Sequence, residues 1–228
     1  MLLRERKAVV TGGPTREWLD PVRFISNPSS GKMGLAIADE CSQRARETVF
    51  IHGPIDAGLV AMKKYRCVPV ETTADMLVAV TNELEENAVL VMAAAPADYT
   101  PIKREDKKIK KNEKKLTLEL KKTPDILKEV SALKRGGRFR DIFTVGFAAE
   151  TNDIEKYALK KLSEKNLDMI CLNDVSKKGA GFGSDTNIIT IFARDGARKD
   201  LPMISKQEVA ARIVDEIEMR LPRYLITY

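Results

Sequence analysis

Histidine is almost missing from this chain. His52 is the single one among 228 residues, and it sits just before Gly53-Pro54, where the end of a strand accounts for it. Chemistry built on several imidazoles, such as a zinc site or a Ser/His/Asp triad, is therefore not expected. Cysteine is nearly as scarce. Cys41, Cys67 and Cys171 are odd in number, far apart and not at metal-ligand spacing. That argues against a disulfide framework and fits a reducing, cytoplasmic setting. No apolar run approaches the ~20 residues of a membrane helix. The charged start leads directly into a short apolar stretch with no cleavage-like segment, so no signal peptide is expected. Aromatic residues are 6% of the chain and none lies between Tyr99 and Phe139, which removes the stacking platform of a single-strand nucleic-acid binder.

What is present is 43% hydrophobic and 32% charged, a globular composition with length enough for one domain over residues 1–228. Short β-branched runs alternate with longer periodic ones. Strands are expected at 8–11, 49–51, 68–70, 88–94, 143–147 and 169–172, and helices at 31–46, 73–86, 124–133 and 153–165. Thr73 is the expected N-cap of the second helix. Val209, Ile213 and Ile217 mark a last helix, while residues 188–192 and a segment near Leu201 should pair across an Asp195-Gly196 turn. The all-apolar run 88–94 suits a central strand covered on both faces. Together these predict an α/β protein with a doubly wound, mostly parallel sheet and an antiparallel addition near the C-terminus.

The rhythm breaks at about 95–122. From Lys103 to Lys122 there are ten Lys/Arg against four acids, which accounts for the whole net charge of +6. A loop of this length in a compact domain is usually functional or disordered. Lysines on a mobile flap suit a triphosphate, whose charge they offset as pyrophosphate leaves. The rival readings are nucleic-acid binding and a solvated charged loop.

Three further loops follow strands, at the end of a parallel sheet where ligands bind. Thr11-Gly12-Gly13-Pro14-Thr15-Arg16-Glu17 lets the backbone approach a ligand and offers Arg16 for phosphate or carboxylate, although the third glycine of a dinucleotide fingerprint is absent. Ser26-Asn27-Pro28-Ser29-Ser30-Gly31-Lys32-Met33-Gly34 opens a helix, where exposed N–H groups attract anions. Ser26 and Met33 stand where a P-loop needs Gly and Ser or Thr, and a Ser-capped helix with a packing glycine is the simpler alternative. Ala93-Ala94-Ala95-Pro96-Ala97-Asp98-Tyr99 leaves room for a flat ligand, with Asp98 able to accept from a ribose or help hold magnesium. A turn closing the strand is the bland reading.

Gly13-Pro14-Thr15-Arg16-Glu17, Asp20 to Asn27, Ser29 to Gly34, Ala97-Asp98-Tyr99, Lys108-Ile109-Lys110-Lys111, Pro124-Asp125-Ile126-Leu127, Val145 to Thr151, Lys165 to Asp168, Asn173-Asp174-Val175-Ser176 and Gly181-Phe182-Gly183-Ser184-Asp185 with Asn187 occur in this order. The set resembles phosphopantothenate–cysteine ligases over roughly residues 7–220. The resemblance implies a Rossmann-like, dimeric enzyme of coenzyme A biosynthesis. Such an enzyme activates 4′-phosphopantothenate with a nucleoside triphosphate and Mg²⁺, and L-cysteine then displaces the nucleotide. Lys32-Met33-Gly34 and the flap lysines look like the bacterial pattern, which implies CTP, with ATP the alternative.

Carried over by motif, the nucleotide site comprises Ala93, Ala94, Asp98, Lys108, Pro124, Asp125, Ile126, Leu127, Phe147, Lys161 and Lys165. Asn27 matches the asparagine that handles the acyl-nucleotide, Arg23 an arginine near the same substrate, and Lys108 the flap lysine of activation. Metal ligands are not assigned. Pro96, Trp18-Leu19 and Pro28 depart from the family pattern, and Pro28 holds Asn27 extended. Many bacterial relatives carry a decarboxylase domain ahead of this one, so the chain as given is expected to ligate and not decarboxylate. Neither membrane nor nucleic-acid partners are expected. A nucleic-acid-binding module and a catalytically silent nucleotide-binding domain are the competing readings.

Overall fold

The computed structural model describes residues 2–110, 116–139, 141–150, 154–174, 181 and 183–221. Lys111, Thr151, Val175, Ser176 and Phe182, named above in motifs, lie outside the described residues, as do Lys114 and Lys115 of the basic segment and Asp153 at the start of an expected helix. In chain order the strands are β1 (Lys7–Gly12), β2 (Arg16–Trp18), β3 (Phe24–Ser26), β4 (Glu47–His52), β5 (Arg66–Pro69) and β6 (Val89–Met92). They continue with β7 (Tyr99–Pro101), β8 (Leu120–Lys122), β9 (Phe143–Glu150), β10 (Met169–Asp174), β11 (Thr186–Ala193) and β12 (Arg198–Ser205). The helices are α1 (Lys32–Arg44), α2 (Thr73–Glu83), α3 (Ile126–Arg135), α4 (Ile154–Glu164) and α5 (Lys206–Arg220).

Eight strands form one sheet in the order β12-β11-β10-β9-β6-β1-β4-β5. From β5 to β10 all neighbours are parallel. β11 and β12 add on antiparallel. Counting only the parallel strands, the order is 3-2-1-4-5-6, the doubly wound dinucleotide-binding arrangement. The expected fold class is what the chain adopts.

Alternation along the strands explains why both faces are covered. Ala8, Val10, Phe50, Val89 and Val91 pack under α1 and α5. Val9, Val49, Ile51, Leu90 and Met92 face α2 and α3. Ala148, Ile170 and Leu172 bury Ala158 of α4 on that second side. β1 and β6 are buried along their whole length, as strands between two helix layers must be.

Two hairpins escaped the periodicity. The expected loop 12–30 contains the antiparallel pair β2–β3, and the flap begins and ends as the pair β7–β8. Three-residue strands are too short to show a period. One cap is also corrected. Thr72, not Thr73, caps α2: its Oγ1 accepts from the Asp75 N–H at 3.1 Å and its N–H donates to Asp75 Oδ2 at 2.9 Å. Thr73 instead gives its N–H and its hydroxyl to buried Glu17, each at 2.9 Å. The preceding residue has the extended backbone that a cap needs.

Candidate active site

The strand order reverses between β1 and β6, and the crevice beyond their carboxyl ends is where a doubly wound sheet takes its ligand. Here Ala94 N–H donates to Thr11 Oγ1 at 3.1 Å. Ala95 N–H donates to the Gly13 carbonyl at 2.9 Å. The two loops thus run side by side and floor the crevice.

The glycine pattern is present after all, in two pieces. A Cβ on Gly34 would lie 2.4 Å from the Thr11 carbonyl oxygen, so α1 rests on β1 only because that side chain is missing. This is the role of the third fingerprint glycine. Gly31, at φ +77°, lies against Gly13, and residues 14–30 are inserted between them. Gly31 heads α1 with no side-chain cap. Ser29 Oγ merely accepts from the Gly31 N–H at 3.4 Å, so the Ser-capped alternative is not what forms. The first N–H groups of α1 have no helical partner, and Lys32, Met33 and Gly34 line a cavity.

That cavity, about 330 Å³, is the first of two chambers. Asn27, Ser30, Lys32, Ala93, Ala95, Asn173, Asn187 and Lys206 are among its walls. The second, about 530 Å³, is bounded by Asp98, Tyr99, Pro124, Asp125, Ile126, Leu127 and Lys165. Ala94, Phe147 and Lys161 belong to both. Every predicted nucleotide-site residue except Lys108 is therefore on this double cleft. Asp125 caps α3 by accepting from the Lys128 N–H at 3.3 Å, and its other oxygen lies 3.1 Å from Lys165 Nζ.

Asn27 sits at the junction. Its amide nitrogen lies 3.2 Å from the Ala95 carbonyl and 3.0 Å from that of Pro96. Two carbonyl oxygens can only accept, so this contact sets the amide orientation. Both Asn27 N–H donors are used, and Oδ1 is left as an acceptor.

Lys108 and Arg23 are elsewhere. Lys108 lines a separate hollow of about 810 Å³ under the flap. Arg23 pairs with Asp20 and donates to the Ile109 carbonyl at 2.7 Å. Asp20 is fully buried and also accepts from the Ile109 N–H at 3.1 Å. Burial works against its charge, but hydrogen bonds from Val22, Arg23 and Ile109 outweigh it and hold the carboxyl well below the usual carboxylate range. The group that carries Lys108 is thus tied to the β2–β3 hairpin through Asp20 and Arg23.

Because the folded-state pKa is depressed, this tie is complete above the ordinary carboxylate range and is lost only as pH falls through the lowered value. Asp20→Asn should speed hydrogen exchange at the Ile109 N–H by about tenfold or more, whereas changing pH between 5 and 8 should not, after correction for intrinsic rates. Equal exchange in the variant would show that the flap root is held by something else.

Other motif residues are structural. Arg16 lies over the Phe24 ring at 4.6 Å, away from both chambers. Thr15 and Glu17 belong to the buried network with Thr73 and Ala97. His52 has Nδ1 2.9 Å from the Gly53 carbonyl and stacks on Phe50. Asn173, Asn187 and Lys206 were missed as site residues. Lys206 lies inside the Ser205/Glu208 capping box and reads as an ordinary helix start. Among the described residues no three of His, Cys, Asp and Glu come together as a metal cage, and no helix is long and apolar enough to cross a membrane.

The profile of the DNA/pantothenate metabolism flavoprotein C-terminal domain family matches residues 3–221. The chain belongs to this family. It is 46% identical over 94% of its length to the coenzyme A biosynthesis bifunctional protein CoaBC of Bacillus subtilis, and 41% identical over 96% to that of Escherichia coli K12. It spans 52% and 53% of those proteins, about half of each. A solved C-terminal domain of CoaBC superposes with a TM-score of 0.76 at 37% identity, covering 96% of this chain and 97% of that one. The two chains therefore share this fold over nearly their whole length.

Proposed function

We propose that this domain joins 4′-phosphopantothenate to L-cysteine through an acyl-cytidylate, in coenzyme A biosynthesis. The observation that carries the reading is the double cleft at the switch point. One chamber holds lysines and polar amides and suits a phosphate tail. The other, walled by the 124–127 backbone, Tyr99 and Phe147, suits a base and sugar.

In the first step a substrate carboxylate oxygen attacks the α-phosphorus and the bond to pyrophosphate breaks. In the second the cysteine amine attacks the acyl carbon and CMP leaves. Asn27 Oδ1, the acceptor left at the junction, accepts a hydrogen bond from the substrate amide or the incoming amine and orients it. His52 is turned away, so the amine proton goes to a phosphate oxygen or water. Mg²⁺ needs only one or two carboxylates when it travels on a triphosphate, and Asp98 in the chamber wall would supply one. Arg23 acts through the flap, as a positioning residue for the segment that carries Lys108. We further propose that the domain works as a cytoplasmic homodimer and uses CTP in preference to ATP.

Pyrophosphate release measured with 4′-phosphopantothenate and Mg²⁺, with CTP or ATP and with or without cysteine, tests this directly. CTP should be preferred by at least about tenfold, and amide product should appear only with cysteine. Asn27→Asp should slow amide formation by about 10²-fold, the scale of one well-placed hydrogen bond, and slow pyrophosphate release far less. Release with ATP alone would overturn the nucleotide choice, and no release with either would sink the ligase reading.

A further inference from the structure

The first chamber is unusual in its charge. Three lysines line it, Lys32, Lys161 and Lys206, and no aspartate or glutamate does among the described residues. Lys206 is the most enclosed of the three, at 6% exposure. It is the first residue of α5, and its side chain turns back so that Nζ donates to the Ser184 carbonyl and, at 3.4 Å, to that of Thr186. Both partners are neutral. An ammonium removed from water normally takes a carboxylate partner, because burial without one is costly. Asp185, whose charge acts on Lys206, is instead engaged at 2.6 Å by Lys32 and points into solvent. Burial and the neighbouring Lys32 lower the Lys206 pKa, and Asp185 only partly opposes them. Two carbonyls occupy two of three ammonium donors, leaving one for the chamber.

We propose that Lys206 is a binding residue for a pyrophosphate group: it holds the terminal phosphoryl groups of the nucleotide and then the pyrophosphate that leaves. This deepens the ligase reading and rests on it. The missing counter-charge of the enclosed lysine is supplied by the ligand. The lysine that contacts the leaving group at the chamber floor thereby differs from the flap lysine, which has to travel to reach it.

A phosphate could also arrive on the other substrate, and the test separates the two sources. Calorimetric titration of the full chain would compare inorganic pyrophosphate, CTP, CMP and 4′-phosphopantothenate on wild type and Lys206→Met. Pyrophosphate and CTP should each weaken roughly tenfold or more in the variant, the scale of a charged hydrogen bond, while CMP and 4′-phosphopantothenate change less than about twofold. Lys206→Arg should recover most of the loss. Equal weakening of CTP and CMP would mean a structural role, and weakening of 4′-phosphopantothenate alone would mean the other substrate's phosphate; either overturns the proposal. Should Lys206→Met not fold, amine labelling of the wild type decides. Pyrophosphate should protect Lys206 at least about fivefold and leave Lys128 unchanged, and no protection overturns the proposal. A wild type that binds neither CTP nor pyrophosphate would fail the ligase reading itself, whereas normal binding by both wild type and variant would fail only this inference.

Discussion

Lys108→Gln should slow pyrophosphate release by about 10²–10³-fold, the loss typical of removing one group aimed at charge that develops in the transition state. The substitution keeps polarity and most of the length and deletes the charge. In the described state Lys108 lies in the hollow beneath the flap rather than in either chamber. The β7–β8 pair fixes both ends of the flap, and the Asp20–Arg23 pair grips it at Ile109. For Lys108 to meet the phosphates this grip at Ile109 has to shift toward the cleft. CTP affinity should change only a few-fold, because most of the nucleotide is held by groups already on the cleft, and the loss should appear in single-turnover release. A variant that releases pyrophosphate at the wild-type rate would remove Lys108 from the reaction and leave the basic flap without a catalytic role.

The second large effect is on stability. Gly34→Ala places a methyl group 2.4 Å from the Thr11 carbonyl oxygen and 2.8 Å from Gly12 Cα. Both neighbours are backbone in the central strand, so neither can rotate aside, and α1 must lift from the sheet. Overpacking of this kind costs about 3 kcal/mol or more. For a chain of this size that lowers Tm by about 6–12 °C. Nucleotide affinity should fall with it, since α1 brings Lys32 and Met33 to the first chamber. A thermal scan within about 2 °C of wild type would show that the close approach of α1 and β1 is not required.

Much of this was legible in the residues. The apolar run 88–94 announces a strand buried on both faces, and β6 is one. The hydrophobic positions Val209, Ile213 and Ile217 are fully buried in α5. The Asp195-Gly196 turn joins β11 to β12 as its composition suggests. Sheet order was not legible from local pattern, because pairing between β6 and β9 or β1 and β6 is a matter of long-range packing. The hairpin β2–β3 was hidden by its brevity. For the site, motif matching gathered Ala93, Ala94, Asp98, Pro124 to Leu127, Phe147, Lys161 and Lys165, and these do converge. It could not tell that Arg23 reaches the flap backbone instead of the cleft, since that depends on a buried carboxylate three residues away. Nor could it pick Lys206 from a lysine-rich chain, because only the fold encloses that one beside the crevice.

The split glycine turn has a consequence for how the molecule is made. In an uninterrupted crossover the turn beneath the ligand is closed by the chain itself, within a few bonds. Here Gly13 and Gly31 meet across the inserted residues 14–30, with the Ile55 side chain from the loop after β4 packed where a Cβ of either glycine would go. Bringing those pieces together is a loop-closure event that must be offset by contacts from a third segment. The turn facing the crevice is therefore fully packed only where β4 is docked on β1 and brings Ile55 with it.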